Sequence, residues 1–85
     1  WSDQYDLRLQ IAGIPFDAPQ IVVRGDIAAG KFALFHLAEA GLVRAVEAVN
    51  ASTEFMGGRR IIQRGKRLSA DKIRDMAVTM QELAS

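Results

Sequence analysis

Residues 31–49 read KFALFHLAEAGLVRAVEAV, two apolar segments separated by a short turn. In Lys31–Leu37 the side chains alternating between the two faces of a strand are almost all apolar, which indicates a central strand covered on both sides. The turn Glu39-Ala40-Gly41 predicts a tight hairpin. Leu42–Val49 is therefore predicted to pair with the preceding strand in an antiparallel sheet.

Two further strands are predicted before this hairpin. Tyr5–Ile11 alternates apolar and polar residues with the period of a half-buried strand. The polar side of this strand, expected to face outward, carries Asp6, Arg8 and Gln10. Gly13–Pro19 contains both prolines and predicts a loop. Ile21–Arg24 is a short β-branched strand that Gly25 and Asp26 terminate.

After Asn50 the apolar period changes to that of a helix. Its apolar stripe consists of Phe55, Gly58 and Ile62. Asn50 or Ser52 is expected to cap the start of the helix, and Gly65 to end it. Each glycine of the pair Gly57-Gly58 costs on the order of 1 kcal/mol relative to alanine in a helix interior. We therefore expect this pair to approach a strand or a neighbouring domain closely.

Two short helical turns are predicted beyond this helix. Ser69 followed by Asp71 opens the first, and Thr79–Glu82 has the spacing of a capping box for the second. Together the elements predict one α+β domain over residues 1–85. It consists of an antiparallel sheet of about four to five strands, with the C-terminal helices packed on one face.

The composition excludes several classes of function. Hydrophobic residues make up 49% of the chain and charged residues 25%, as in ordinary globular proteins. The absence of cysteine excludes disulfides, thiol catalysis and cysteine metal sites. No apolar run approaches the roughly 18 residues of a transmembrane helix, and no aromatic-rich nucleic-acid motif is present. We therefore expect a cytoplasmic protein that binds neither membrane nor nucleic acid.

Charge is distributed unevenly although the net charge is only +1. Residues 1–58 carry four basic and seven acidic side chains, whereas residues 59–85 carry seven basic and three acidic ones. Most of this excess forms a basic cluster, which consists of Arg59, Arg60, Arg64, Lys66 and Arg67. The cluster is either a solvated helix end that favours the negative pole of the helix dipole, or a surface that steers an acidic partner.

Few residues are suited to catalysis. His36 is the only histidine, and its place in an apolar strand favours a buried, hydrogen-bonded histidine over a general base. One histidine without cysteine cannot form the common zinc sites. Neither Gly25-Asp26 nor Gly57-Gly58 belongs to a phosphate-binding loop. We therefore predict no catalytic residue and no metal ligand within this chain.

The start of the chain carries the strongest functional signal. Trp1, the only tryptophan, precedes Ser2-Asp3-Gln4 and the first strand. A large aromatic ring buries little surface at a fraying terminus, which indicates a chain cut from a longer protein. Trp1–Leu7 resembles the start of the C-terminal domain of FAD-dependent, NAD(P)H-linked ferredoxin reductases. The resemblance continues through Val22–Asp26, Phe32–Leu37, Ala48–Asn50 and Glu54-Phe55.

This resemblance implies that domains binding FAD and NAD(P)H precede the chain in a larger flavoprotein, and that the fragment alone is inactive. In that family the segment matching Trp1, Ser2, Asp3 and Gln4 lies against the flavin, so these four residues are expected to contact FAD. The matching tryptophan lies between the flavin and the surface where a [2Fe-2S] ferredoxin docks. Arg8 is the second residue expected to contact the ferredoxin.

Other interpretations of these residues stay open. Trp1 could simply cover the edge of the sheet, and Asn50 could contact the flavin domain instead of capping a helix. The whole chain could also be a free-standing protein-interaction or dimerisation module without a redox role. Two dinucleotide-binding fingerprints in the sequence upstream of Trp1 would distinguish the reductase from these alternatives.

Overall fold

A computed structural model describes residues 9–15 and 17–84, which form a four-stranded antiparallel sheet followed by helices. The strands are β1 (Leu9–Gly13), β2 (Gln20–Asp26), β3 (Lys31–Leu37) and β4 (Val43–Val49). They lie in the order β1-β4-β3-β2. A single 3₁₀ turn, Glu39–Gly41, joins β3 to β4. The helices are α1 (Ser52–Arg64), α2 (Ala70–Arg74) and α3 (Met80–Ala84). None of these helices is both long and apolar enough to cross a membrane.

One face of the sheet holds the core. Helix α1 packs across β4, β1 and β3, α2 packs against β2, and α3 packs against α1. The fully buried side chains at the centre of this layer are Val22, Phe35, Leu37, Val46, Ile61 and Ile73. The predicted α+β class, with helices on one face of an antiparallel sheet, is confirmed.

The opposite face of the sheet, which we call the open face, has no helix packed on it among the described residues. Strand pairing places on it Leu9, Ile11, Ile21, Val23, Phe32, Leu34, His36, Ala45, Glu47 and Val49. The predicted central position of β3 is confirmed, because it lies between β2 and β4. Its predicted cover on both sides is wrong for the described residues, since the helices that follow the sheet all gather on one face.

Strand β1 turns its apolar side away from the helices. Leu9 and Ile11 lie on the open face and are 59% and 56% exposed. Gln10 lies on the helix side, where its side-chain oxygen Oε1 is buried without a hydrogen-bond partner in the described part of the chain. The expectation that Gln10 faces outward is therefore wrong. The other two residues of that predicted polar side, Asp6 and Arg8, lie outside the described residues.

Glycine allows α1 to lie close to the sheet. A Cβ atom at Gly58 would lie 2.8 Å from Cγ1 of Val46 in β4. The predicted close approach to a strand is therefore confirmed. Ile61, rather than the predicted Ile62, is the fully buried isoleucine, because it follows Gly58 by three residues on the same side of the helix. Gly65 ends the helix in a left-handed conformation, as predicted, with φ of 62°.

The two short C-terminal helices begin as the sequence predicts. Ser69 caps α2, where its hydroxyl accepts a hydrogen bond from the amide of Lys72 at 3.4 Å. Thr79 and Glu82 form the capping box of α3. The amide of Glu82 donates to Oγ1 of Thr79 at 3.1 Å, and the amide of Thr79 donates to Oε1 of Glu82 at 3.2 Å.

Candidate functional site

The residues predicted to contact the flavin and the ferredoxin are Trp1, Ser2, Asp3, Gln4 and Arg8. All five lie outside the described residues. The structure does define where this segment joins the fold. Leu9 begins β1 and pairs with Val49 at the end of β4, and Val49 pairs with Phe32 at the start of β3. The segment is therefore attached to the end of the sheet that carries the β2–β3 turn and the start of α1.

A cleft of about 690 Å³ lies at this end of the sheet. Its wall comes from the β2–β3 hairpin, the first turn of α1 and the segment after α2, and includes Lys31, Phe32, Asn50, Ser52, Glu54 and Met76. Apolar and polar groups alternate along this wall. Such a wall offers van der Waals contact and hydrogen bonds to a neighbouring group, but no paired acid and base.

The β2–β3 turn that forms one side of the cleft is held by local contacts. Gly25 has φ of 107°, and a Cβ atom there would lie 2.7 Å from the carbonyl oxygen of Lys31. Oδ1 of Asp26 accepts hydrogen bonds from the amides of Ala28 and Ala29 at 3.0 and 3.3 Å. Glycine is therefore required at position 25, and the hydrogen bonds accepted by Asp26 stabilise the turn.

Asn50 joins the β2–β3 turn to the start of α1. Its backbone is left-handed, with φ of 52°, and its side-chain amide donates to the carbonyl oxygen of Gly30 at 3.0 Å. The N-cap of α1 is Ala51, which has no side-chain cap, and Ser52 is already helical. The prediction that Asn50 or Ser52 caps α1 is wrong, because the chain reverses at Asn50 and its side chain bonds to the adjacent turn instead.

Arg24 is a buried cation whose role the sequence analysis did not identify. The residue is only 2% exposed. Its guanidinium donates three hydrogen bonds, of 2.5–3.0 Å, to the backbone carbonyls of Ile73, Asp75 and Val78. Nε of Arg24 also lies 3.7 Å from Oε2 of Glu54. Strand parity was the available signal, because Arg24 and Val22 must point to the same face.

These contacts hold the segment between α2 and α3 against the sheet. Met76, which lies within this segment, lines the cleft together with Arg24 and Glu54. The arginine thus positions one wall of the cleft through hydrogen bonds to backbone atoms. The positive charge of Arg24 therefore interacts with backbone carbonyls and Glu54 inside the protein.

His36 lies on the open face of the sheet and does not line the cleft. Its Nε2 is 2.5 Å from Oε2 of Glu47 on the neighbouring strand, and the residue is 7% exposed. This arrangement agrees with the expectation of a buried, hydrogen-bonded histidine. In the described part of the chain no group of three or more histidine, aspartate or glutamate residues comes together to hold a metal ion.

The residues of the basic cluster have different surroundings in the structure. Arg64 donates from Nη1 to the carbonyl oxygen of Ala84 at 2.9 Å and so joins α1 to α3. Arg59 lies over the ring of Phe55, with its guanidinium carbon 6.0 Å from the ring centre. Arg60 is exposed on the middle of α1, and Arg67 is exposed beyond the end of that helix. Arg59 and Arg64 thus make contacts within the domain, whereas Arg60 and Arg67 are exposed to solvent.

Comparison with known proteins assigns the chain to a family. Residues 1–84 match the family described as Reductase C-terminal. The chain belongs to this family. As a reductase C-terminal domain, it is similar to the probable ferredoxin reductase CtmF of Castellaniella defragrans. The two are 49% identical over 84 residues, which are 99% of this chain and 20% of that relative.

Other relatives of this reductase C-terminal domain have similar names. The 5,5'-dehydrodivanillate O-demethylase ferredoxin reductase subunit of Sphingobium sp. is 36% identical over 85 residues, which are 100% of this chain and 20% of that relative. The chain therefore spans about a fifth of the length of the curated relatives it matches.

Solved structures share the fold over nearly the whole chain. The ferredoxin reductase for the CYP199A2 system from Rhodopseudomonas palustris has a TM-score of 0.86 and 32% identity, and the match covers 100% of this chain and 21% of that one. The covalent putidaredoxin reductase–putidaredoxin complex has a TM-score of 0.83 and 31% identity, over 98% and 20% of the two chains. The resemblance to ferredoxin reductases found in the sequence is thus confirmed.

Proposed function

We propose that this chain is the C-terminal domain of an NAD(P)H-dependent ferredoxin reductase, in which it covers the edge of the flavin and forms part of the ferredoxin docking surface. One observation carries this proposal. The family match extends over residues 1–84, while the relatives that share it are named ferredoxin reductases about five times as long.

The composition of the described residues supports a division of labour within that longer protein. The described residues contain no glycine-rich phosphate loop, and the hydrogen-bonded pair His36–Glu47 lies on the open face and not in the cleft, so we assign binding of the two dinucleotides to the preceding domains. FAD would accept a hydride from NAD(P)H and release single electrons to a [2Fe-2S] ferredoxin. This chain would contribute Trp1, Ser2, Asp3 and Gln4 beside the flavin, with Trp1 and Arg8 at the docking surface.

The geometry at the start of β1 is compatible with this role. The predicted flavin-edge segment is attached to Leu9, at the end of the sheet where the cleft lies. Ala29, Ala51 and Met76 give the cleft apolar surface, and Asn50 holds its two walls together. A rigid end of this kind suits a segment that must keep one orientation beside a cofactor.

The role of Trp1 is tested by separating the two half-reactions of the intact reductase. In stopped-flow experiments, Trp1→Ala should slow electron transfer to the ferredoxin about ten-fold or more, because a large aromatic contact is lost at the docking surface. Reduction of the flavin by NAD(P)H should change much less. Trp1→Phe, which keeps an aromatic ring, is the matched control and should recover most of the rate. Equal effects of Trp1→Ala on both half-reactions, or no effect, would contradict the assigned role.

The division of labour is tested with the 85-residue chain alone. We expect it to bind FAD weakly or not at all and to lack reductase activity, since the phosphate-binding loops lie elsewhere. Equilibrium dialysis against FAD measures this directly. Tight, stoichiometric FAD binding by the fragment would contradict the proposal, as would an upstream sequence without two dinucleotide-binding fingerprints.

A further inference from the structure

The open face of the sheet is apolar across all four strands. Pairing defines three rungs that run across it: Leu9–Val49–Phe32–Gly25, Ile11–Glu47–Leu34–Val23 and Gly13–Ala45–His36–Ile21. The outer strands carry its most exposed side chains, since Ile21 on β2 is 53% exposed and Leu9 and Ile11 on β1 exceed half. Isolated exposed apolar residues are ordinary, but a continuous apolar face marks a surface that is covered in the working protein.

The alternation of apolar and polar residues in β1 also indicates that the open face is covered in the working protein. A half-buried strand turns its apolar side chains toward protein and its polar side chains toward water. In the described residues the large apolar side chains of β1 lie on the other side, because Leu9 and Ile11 face away from the helices while Gln10 and the small Ala12 face them. The sequence of β1 therefore specifies burial on a face that the fold of this chain leaves open.

The hydrogen-bonded pair His36–Glu47 does not prevent the open face from being covered. Nε2 of His36 and Oε2 of Glu47 bond to each other at 2.5 Å near the middle of the sheet. A polar pair that satisfies its own hydrogen bonds tolerates loss of water far better than an unpaired group does. No lysine or arginine occupies the three rungs. The exposed arginines are Arg44 in the bulged start of β4 and, on or just beyond α1, Arg59, Arg60, Arg64 and Arg67, with Arg74 in α2.

The three rungs of the open face carry no lysine or arginine. This composition favours a permanent binding partner over a transient one. Transient partners dock on surfaces with a polar rim and complementary charge, whereas permanent interfaces resemble a divided hydrophobic core. An acidic ferredoxin would find its complementary charge on the helix side of the domain. The open face has the composition of a permanent interface.

The size of the face favours an occupant on the same polypeptide. With a strand spacing of about 4.8 Å and a rise of about 3.4 Å per residue, four strands and five paired positions project to roughly 19 Å by 17 Å, or about 320 Å². A stable complex of separate proteins buries about 800 Å² on each partner. Contacts between domains of one chain begin at about 300 Å² on each side, because the covalent link supplies a high effective concentration.

We propose that the open face is the surface on which the preceding part of the same reductase, the region that binds FAD and NAD(P)H, packs against this domain. The inference rests on the proposed function for the existence of that region. About four-fifths of each similar reductase lies outside the matched segment, so enough polypeptide exists to cover the face.

Thiol labelling of the intact reductase tests this proposal. The chain contains no cysteine, so each introduced thiol is the only one in this domain and its peptide is identified by mass spectrometry. Ile11→Cys and Ile21→Cys probe the open face from its two outer strands. Matched controls are Ile27→Cys in the β2–β3 turn and Met56→Cys on α1, whose native residues are 58% and 62% exposed. Each rate is divided by the rate in denaturant, and circular dichroism and the Tm establish that each variant is folded.

We expect the two open-face thiols to react with a maleimide at least about ten times more slowly than the two controls, since labelling would require the domains to separate. Equal rates at all four positions would overturn the proposal. Protection that disappears on dilution would identify a second copy as the occupant, and protection seen only after adding ferredoxin would identify the ferredoxin. Either result would also overturn it.

This readout does not depend on activity, so it separates the two proposals. A reductase that transfers electrons normally but labels freely on the open face would refute the packing alone. A longer polypeptide that protects the face but binds no flavin would refute the proposed function alone.

Discussion

Arg24 shows how a single buried cation can organise a small domain. The backbone from the end of α2 to the start of α3 has no strand or long helix to satisfy its carbonyl groups, and the carbonyls of Ile73, Asp75 and Val78 all accept from one guanidinium. Arginine is suited to this task because its donors lie in a rigid planar fork and it stays ionised at any physiological pH. Glu54 at 3.7 Å offsets part of the cost of burying the charge.

Replacing this residue should be among the most damaging changes in the chain. Arg24→Met keeps much of the aliphatic volume but removes three hydrogen bonds, after which the carbonyl of Asp75 still accepts from the amide of Val78, so we expect a loss of about 3–5 kcal/mol in the free energy of unfolding. Urea denaturation measures the change. Arg74→Met is the matched control, because its ion pair with Asp71 at 3.4 Å is exposed and should contribute less than about 0.5 kcal/mol. Similar losses in both variants would contradict the role of Arg24.

Among the elements, α1 and β4 form the contact on which the core depends. Gly57 and Gly58 are neighbours in α1 but meet different partners. A Cβ atom at Gly58 would meet the branched side chain of Val46 at 2.8–3.1 Å, whereas one at Gly57 would meet Met80, with the mobile Cε at 2.7 Å and Cβ at 3.1 Å. Methionine adjusts readily to added volume, and valine has one preferred rotamer.

The two glycines therefore differ in their expected response to alanine. Both substitutions gain about 1 kcal/mol in helix propensity. Gly58→Ala also overpacks the core, which costs about 1–3 kcal/mol, so we expect a net loss of stability. Gly57→Ala should be close to neutral because Met80 can move. Thermal unfolding of the two variants side by side measures the difference, and a Gly57→Ala variant less stable than Gly58→Ala would show that the packing is misread.

The capping box gives a second prediction for an element. Helix α3 has only five residues, Met80–Ala84, so its start contributes much of its stability. Thr79→Ala removes the hydroxyl that accepts from the amide of Glu82 and should cost about 1 kcal/mol. Thr53→Ala, an exposed position in the first turn of α1, should change stability by less than about 0.5 kcal/mol. Hydrogen exchange at the α3 amides would reveal the local loss; unchanged exchange rates would contradict it.

The molecule as a whole has two surfaces of opposite character. The helix side carries exposed basic residues, and the open face is apolar apart from the hydrogen-bonded His36–Glu47 pair. Position along α1 distinguishes the exposed arginines from each other. With a rise of about 1.5 Å per residue, Arg60 lies about 12 Å from the start of α1 beside the cleft, and Arg67 lies beyond the far end of the helix.

This geometry predicts unequal effects on an acidic ferredoxin docked near the cleft. In the intact reductase, Arg60→Gln should lower the rate of electron transfer to ferredoxin about two- to five-fold at low ionic strength, because a charge about a Debye length or less from the partner is lost. Arg67→Gln should have a smaller effect. The difference should shrink as salt is added, which steady-state rates over a range of ionic strength would measure. Equal effects of both variants at low salt would contradict docking near the cleft.

Local chemistry determined most of the elements of this protein. The apolar run in β3, the turn at Gly41 and the capping box at Thr79 each depend on residues adjacent in sequence, so the pattern alone was sufficient to predict them. Gly65 ended α1 for the same reason. The resemblance carried by Trp1–Leu7 and the later segments led to the ferredoxin reductase family, which the comparisons confirm.

Only the tertiary structure decided which face of the sheet the helices cover. Alternation in β1 separates Leu9 and Ile11 from Gln10, but it does not say which side the core occupies, because that depends on where α1 crosses the sheet. The partners of Asn50 and Arg24 likewise lie 20 residues and about 50 residues away in sequence. Such contacts depend on chain segments that meet only after folding, so no local pattern encodes them. They determine both the cleft and the apolar face left open.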